Sequence, residues 1–191
     1  MTEVEIKATL APALAAALPE RLAGLGFVPE GAVQERDLYF NAPHRDFRRS
    51  DEALRLRTVA GSRRETEITY KGPKTDGRSN TRQEYETSLG EGETAKSILL
   101  ALGFSPVLTV SKDRRTFRRG PVTACLDQVA GLGSFLELEQ LLPDESGRDE
   151  AVDELLSLLG RLGVAEQSLE RRSYLELLLA SGQGRHRNRE E

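Results

Sequence analysis

Cysteine is nearly missing from this chain. Its 191 residues include one, Cys125, so no disulfide can close within it, and a reducing, cytoplasmic setting is expected. Histidine is almost as scarce: His44 and His186 are the two, and neither stands at metal-ligand spacing. With so little histidine to act as its base, Cys125 reads as a passive side chain. No run of 18 apolar residues occurs, so no membrane-spanning helix is expected. The N-terminus passes almost at once into a strand pattern, so no signal peptide is expected either. Positive charge is not in excess: 27 Lys and Arg against 31 Asp and Glu leave a net charge of −4, which argues against nucleic acid or an anionic membrane as partner. Gly131-x-Gly133 lacks the Lys-Ser/Thr of a phosphate-binding P-loop and reads as a turn. No internal repeat of fixed period is visible.

Charge itself is abundant. Charged residues make up 30% of the chain, above the roughly one quarter usual in globular domains. Glu3-Val4-Glu5-Ile6-Lys7 alternates strictly, so on a β-strand Glu3, Glu5 and Lys7 share one face and Val4 and Ile6 the other. Further alternating strands are expected over residues 34–40, 53–59, 65–71, 82–86, 107–118, 121–129 and 135–139. Helices are expected over 11–25, where Pro19 divides or kinks the run, over 92–102, from a Ser146 cap to about residue 162, and over 169–180. Gly61-Ser62 makes a turn. The leucines of the last helix are core or a homodimer face. Short period-two strands with helices between and after them argue for an α+β fold with a largely antiparallel sheet. Residues 1–180 form one domain, and 181–191 are expected to be a polar, disordered tail.

The charged strand faces carry seven acids (Glu3, Glu5, Glu84, Glu86, Asp127, Glu137, Glu139) and seven bases (Lys7, Arg55, Arg57, Lys71, Arg82, Lys112, Arg114). In an open slab these would be a solvated face. In a closed sheet they would line a tunnel, with the apolar faces outside under the helices. An isolated buried charge costs several kcal/mol, so such a lumen survives only if its charges pair or hold a ligand. Carboxylates take hard cations such as Mg²⁺ or Mn²⁺, while Lys and Arg take phosphate oxygens. A metal-bound polyphosphate needs both. Periodicity alone leaves slab and tunnel equally open. Arg45, Arg48 and Arg49 read as solvated loop charges, or as phosphate contacts at a tunnel mouth.

The order of the motifs resembles a known family. Glu3-x-Glu5-x-Lys7 is similar to the ExExK signature of the CYTH superfamily, the triphosphate tunnel metalloenzymes. Asp37-Leu38-Tyr39-Phe40, Leu54-Arg55-Leu56-Arg57, Thr69-Tyr70-Lys71-Gly72-Pro73 and Arg82-x-Glu84-x-Glu86 follow in the family's order. So do Lys112-x-Arg114, Asp127-x-Val129, Gly131-Leu132-Gly133 and Phe135-Leu136-Glu137-Leu138-Glu139. Ser173-Tyr174-Leu175-Glu176-Leu177-Leu178 resembles the ending of the class IV adenylate cyclase-like and thiamine triphosphatase-like branch.

The resemblance implies an eight-stranded antiparallel closed tunnel with a charged lumen and helices outside. It implies metal-side carboxylates at Glu3, Glu5, Glu137 and Glu139, with Asp127 and Glu86 completing a second site for Mg²⁺ or Mn²⁺. It implies triphosphate binding by Lys7, Arg55, Arg57, Lys71, Arg82, Lys112 and Arg114, with Glu84 orienting neighbouring bases. Glu3, Glu5, Lys7, Lys71 and Glu137 would be the catalytic set. Cyclase-active members carry a His-Phe pair ahead of the first strand, where Met1-Thr2 stands here. Hydrolysis of a small triphosphate is therefore the expected activity. Cyclisation of ATP is the alternative, and non-catalytic polyphosphate or nucleotide binding a second one.

Overall fold

The computed structural model describes residues 2–60, 65–144 and 146–182. The turn expected at Gly61-Ser62 lies outside the described residues, as does the tail beyond residue 182. The chain order is β1 (Thr2–Leu10), α1 (Pro12–Gly24), β2 (Val28–Asn41), β3 (Ala53–Ala60), β4 (Glu65–Lys71), β5 (Arg82–Leu89) and α2 (Gly92–Ala101). Then come β6 (Ser105–Arg119), β7 (Val122–Val129), β8 (Gly133–Leu142), α3 (Arg148–Arg161) and α4 (Tyr174–Ala180). The strands close into a barrel in the order β1-β5-β4-β3-β2-β6-β7-β8, and every pairing is antiparallel.

Burial explains why the sheet closes with its charges inward. The apolar alternates of β1, β7 and β8, among them Val4, Ile6, Ala124, Leu136 and Leu138, point outward and pack under Leu18 and Leu22 of α1 and Leu155, Leu158 and Leu159 of α3. Each fully buried Leu or Ile contributes roughly 1.5–3 kcal/mol. A second cluster joins Phe40, Leu54 and Leu56 to Leu99 of α2. A third lies on the charged residues' side of β2, β6 and β8, where Tyr39, Leu108, Val110 and Phe135 join Tyr174 and Leu178 of α4. With the apolar faces so covered, the charged faces are left to the lumen.

Some expected boundaries move. Pro19 neither divides nor ends α1, which runs through it while Leu18 and Leu22 anchor the helix on the barrel. One missing backbone bond is outweighed by that packing. β2 begins at Val28, because residues 28–31 still pair with β6 across a register shift between Pro29 and Gly31. Ser146 does not cap α3. Gly147, in the left-handed region at φ 77°, holds the N-cap position, and Ser146 N instead donates to Asp144 Oδ1 at 2.7 Å.

The last helix starts at Tyr174 rather than at residue 169. β5 reaches β1 only at Thr2 and Glu3, which leaves the rest of that β1 edge without a strand partner. Residues 169 and 170 fill it in extended form: Leu169 bridges Ala8, and Glu170 N donates to Lys7 O at 2.8 Å. Ser173 then starts α4 with a reciprocal capping box to Glu176.

Candidate active site

The barrel encloses a cavity of about 460 Å³, within the range of small-molecule sites. Of the residues expected to carry function, the cavity is lined by Glu3, Glu5, Lys7, Arg55, Arg57, Lys71, Arg82, Lys112, Arg114, Glu137, Glu139, Glu84 and Glu86. Asp127 is buried behind Lys112 and Arg114. Strand register sets the arrangement. Glu5 stands directly opposite Glu139, and Lys7 opposite Glu137, across β1 and β8. β2 is four strands from β1 in either direction, so the bases flanking it on β3 and β6 face that carboxylate wall.

The bases are held by acids. Arg57 makes two bonds to Asp37, Nε to Oδ1 at 2.7 Å and Nη2 to Oδ2 at 2.8 Å. Arg55 reaches Asp37 at 3.4 Å. Arg114 Nε donates to Asp127 Oδ1 at 2.7 Å, its Nη2 reaches Glu137, and Lys112 Nζ donates to Asp127 Oδ2 at 3.2 Å. Glu35 Oε2 lies 3.0 Å from Arg57 and 3.2 Å from Lys112. Lys71 bridges Glu3, at 2.9 Å, and Glu84. Lys7 is loosely held, 3.5 Å from Glu5 and 3.9 Å from Glu137, with the Tyr174 ring 4.8 Å away. Arg82 Nη1 donates to Gly72 O at 3.3 Å. Glu86 is exposed and accepts from Thr69 Oγ1 at 2.7 Å, with Arg55 3.7 Å away. Those partners lie on β3 and β4, apart from the β1–β8 acids.

Charge in this lumen is strongly coupled. Burial pushes the Glu3 carboxyl up, but Lys71, hydrogen bonds with Glu84 and Lys71, and Arg55 together outweigh it and hold it down at about 2. Burial, and then the Glu3 carboxylate, push Glu84 up to about 8 against the pull of Lys71. Glu137 is held low despite burial by Arg114, Lys112 and Lys7. Glu139 is raised to about 7, first by burial and then by the charge of Glu3. Burial likewise drives the Cys125 thiol well up, so it stays protonated and is no nucleophile.

Two carboxylates directly opposite on paired strands repel, and burial together with the charges of Glu3, Glu137 and Glu5 raises the Glu139 carboxyl against the pull of Arg114. Crowded hard oxygen donors suit Mg²⁺ or Mn²⁺. Glu3, Glu5, Glu137 and Glu139 therefore fit a divalent cation in chemistry and charge. In the resting arrangement each of Glu3, Glu5 and Glu137 is engaged by a base or an amide instead. Accordingly, among the described residues no group of three or more His, Cys, Asp or Glu is arranged to hold a metal as it stands.

Sequence reasoning missed four contributors. Glu35 and Asp37 alternate with Arg36 and Leu38, so the same period-two reading that found Arg55 and Arg57 would have placed both in the lumen. Tyr174 donates to Asp127 Oδ2 at 3.0 Å, a contact that no spacing encodes. Asn80 sits in a turn-rich stretch where asparagine is unremarkable. Of the loop arginines, Arg48 lines the cavity, while Arg45 makes two bonds to Glu52 at its rim.

Among the described residues, no helix is long and apolar enough to cross a membrane. The CYTH domain model matches residues 1–174. A protein of Methanocaldococcus jannaschii, provisionally named an adenylate cyclase, is 38% identical over 177 residues, covering 93% of this chain and 98% of that protein. The adenylate cyclase CyaB of Aeromonas hydrophila is 33% identical over 144 residues, 75% of this chain and 72% of its own. The solved structure of the PH1819 protein from Pyrococcus horikoshii OT3 superposes with a TM-score of 0.86 at 39% identity, covering 94% of this chain and 99% of that one. A closed antiparallel tunnel lined by paired acids and bases, matched over nearly its whole length, thus identifies the chain as a member of the CYTH domain family.

Proposed function

We propose that this protein is a divalent-metal-dependent triphosphatase that takes a small triphosphate into its tunnel. The observation that carries the reading is the division of the lumen. The β1 and β8 carboxylates Glu3, Glu5, Glu137 and Glu139 face Arg55, Arg57 and Lys112 across a cavity of about 460 Å³, and Arg114 bridges Asp127 and Glu137 between the two sides. Lys71 and Arg82 add to the basic side, and Lys7 stands among the acids, directly opposite Glu137. Arginine offers two parallel donors to phosphate, and Lys7, whose nearest acid is 3.5 Å away, can turn toward a guest.

In this reading Glu3, Glu5, Glu137 and Glu139 hold Mg²⁺ or Mn²⁺, while Asp127 stays on Lys112 and Arg114, and Glu86 on Thr69 and Arg55. Bound cations would neutralise phosphate oxygens and make an attacking water more acidic. The chain's own part is orientation and charge. Asp37 and Asp127 keep Arg55, Arg57, Lys112 and Arg114 aimed into the lumen, where these bases stabilise the charge that grows on the transferred group and the leaving oxygen. Water's oxygen joins the terminal phosphorus, the bridging P–O bond breaks, and phosphate leaves from the remaining diphosphate. Tripolyphosphate, thiamine triphosphate and nucleoside triphosphates are the candidate substrates. The protein works as a cytoplasmic enzyme on a small molecule, in a single domain.

A second reading is an adenylate cyclase, in which the ribose 3′-hydroxyl of ATP replaces water and pyrophosphate leaves. The names of the relatives at 38% and 33% identity favour it.

One incubation separates the readings: pure protein with Mg²⁺ or Mn²⁺ and tripolyphosphate, thiamine triphosphate or ATP, resolving phosphate, pyrophosphate and cyclic AMP. The expected result is phosphate release that vanishes with Glu3→Gln and with a chelator, while the variant keeps the wild-type far-UV spectrum. Cyclic AMP with matching pyrophosphate would establish the second reading. Wild-type turnover in Glu3→Gln at equal metal would remove Glu3 from the site. Tight triphosphate binding without any product would make the protein a binding module.

A further inference from the structure

Asn80 belongs to none of the strand motifs, yet it is tied to one of them twice. It lies in the segment joining β4 to β5, which passes along the β1 edge that β5 leaves open. Its backbone N donates to Glu5 O at 2.8 Å, and its side-chain Nδ2 donates to Glu5 Oε1 at 2.9 Å. The segment around it is firmly folded. Thr75 N donates to Thr81 O at 2.9 Å, and Asp76 accepts from Ser79 N at 2.9 Å and from Ser79 Oγ at 2.6 Å. Asn80 is 5% exposed and lines the tunnel cavity beside Glu5.

The amide's orientation follows from chemistry. A carboxylate only accepts, so the group facing Glu5 Oε1 must be the NH₂. The amide oxygen is thereby turned away from Glu5, and it is buried with no hydrogen-bond partner. An unpaired buried acceptor is costly and calls for a role. A neutral carbonyl oxygen is also what a crowded acidic site needs. It adds a hard donor without adding a negative charge to the opposed pair Glu5 and Glu139.

We propose that Asn80 belongs to the cation-holding set of the tunnel. Its nitrogen fixes the Glu5 carboxylate, and its oxygen is a neutral donor to the cation that Glu5 takes. The inference rests on the reading of Glu5 as a cation ligand.

The test uses Mn²⁺ alone, with no triphosphate, and follows the resonance signal of free Mn²⁺ as it is titrated into wild type, Asn80→Ala, Asn80→Asp and Glu5→Gln. Loss of an orienting partner weakens metal binding by roughly 10- to 100-fold, which is the expectation for Asn80→Ala. Asn80→Asp restores an oxygen and should bind Mn²⁺ more tightly than Asn80→Ala. Glu5→Gln should lose the site. Melting curves without Mn²⁺ check the fold, and the nearly isosteric Asn80→Asp carries the test if Asn80→Ala does not fold. Binding by Asn80→Ala within about twofold of wild type, while Glu5→Gln loses it, overturns the inference and leaves the reading of Glu5 intact. Asn80→Asp binding no better than Asn80→Ala overturns the donor role. Wild-type binding by Glu5→Gln overturns both the inference and the reading beneath it.

Discussion

Tyr174 reaches in from α4 and donates its phenolic proton to Asp127 Oδ2 at 3.0 Å, while two lysines flank its ring, Lys7 at 4.8 Å and Lys112 at 5.3 Å. One side chain from the C-terminal helix thus touches an acid and two bases of the lumen. Asp127 in turn holds Lys112 and Arg114. The phenol and the ring separate by mutation. Tyr174→Phe keeps the ring and removes one bond to a carboxylate, a loss of about 1.5–3 kcal/mol. For a chain of this size that lowers the melting temperature by roughly 3–12 °C. Tyr174→Ala also frees both lysines and opens a cavity, so it should melt lower still and raise the KM for a triphosphate several-fold. Equal melting of wild type and Tyr174→Phe would show that the bond contributes nothing.

Asp37 supplies a pH dependence with a definite sign. Burial opposes its charge, yet Arg55 and Arg57 hold its carboxyl well below the usual carboxylate range. A depressed carboxyl contributes stability above its unfolded value, near 3.9, and loses it as pH falls through the folded value. Asp37→Asn leaves Arg57 without its two-bond partner, and breaking such a buried pair costs about 3–5 kcal/mol. The melting gap between wild type and Asp37→Asn should therefore be wide at neutral pH and narrow once the pH falls below about 4. A gap of constant width down to strongly acid pH would sink the assignment.

Most of the barrel was legible because its signal is local. Alternation of Val4 and Ile6 with Glu3, Glu5 and Lys7 needs no tertiary knowledge, and the same holds for Leu54 and Leu56 against Arg55 and Arg57. Periodicity could not tell a solvated slab from a closed tunnel, since both present the same two faces. Closure is decided at Thr2 and Glu3, where two residue pairs join β1 to β5. That short seam also explains what was misread near the C-terminus. Leucine spacing over 169–180 suits a helix, but the bare β1 edge draws residues 169 and 170 into extended backbone and delays the helix to Tyr174. Asn80 and Tyr174 were beyond sequence for the same reason. Each acts on an acid far away in the chain, Glu5 and Asp127, and no periodicity carries such a pairing.

Glu139 gives a prediction whose sign depends on metal. It stands directly opposite Glu5, so in metal-free protein the pair costs up to about 1 kcal/mol in repulsion. Glu139→Gln keeps the shape and removes one charge. In a chelator it should melt above wild type, by up to about 4 °C. Saturating Mn²⁺ changes the balance, because a cation that binds only the folded state stabilises it by about 2.7 kcal/mol at a hundred times its dissociation constant. Wild type takes that gain in full. The variant, one hard donor short, takes less, and the order of the two melting temperatures should invert. An invariant order in both conditions would separate Glu139 from cation binding. A variant less stable than wild type even in chelator would show that the Glu139 charge is instead needed by a base, with Arg114 the nearest candidate by charge coupling.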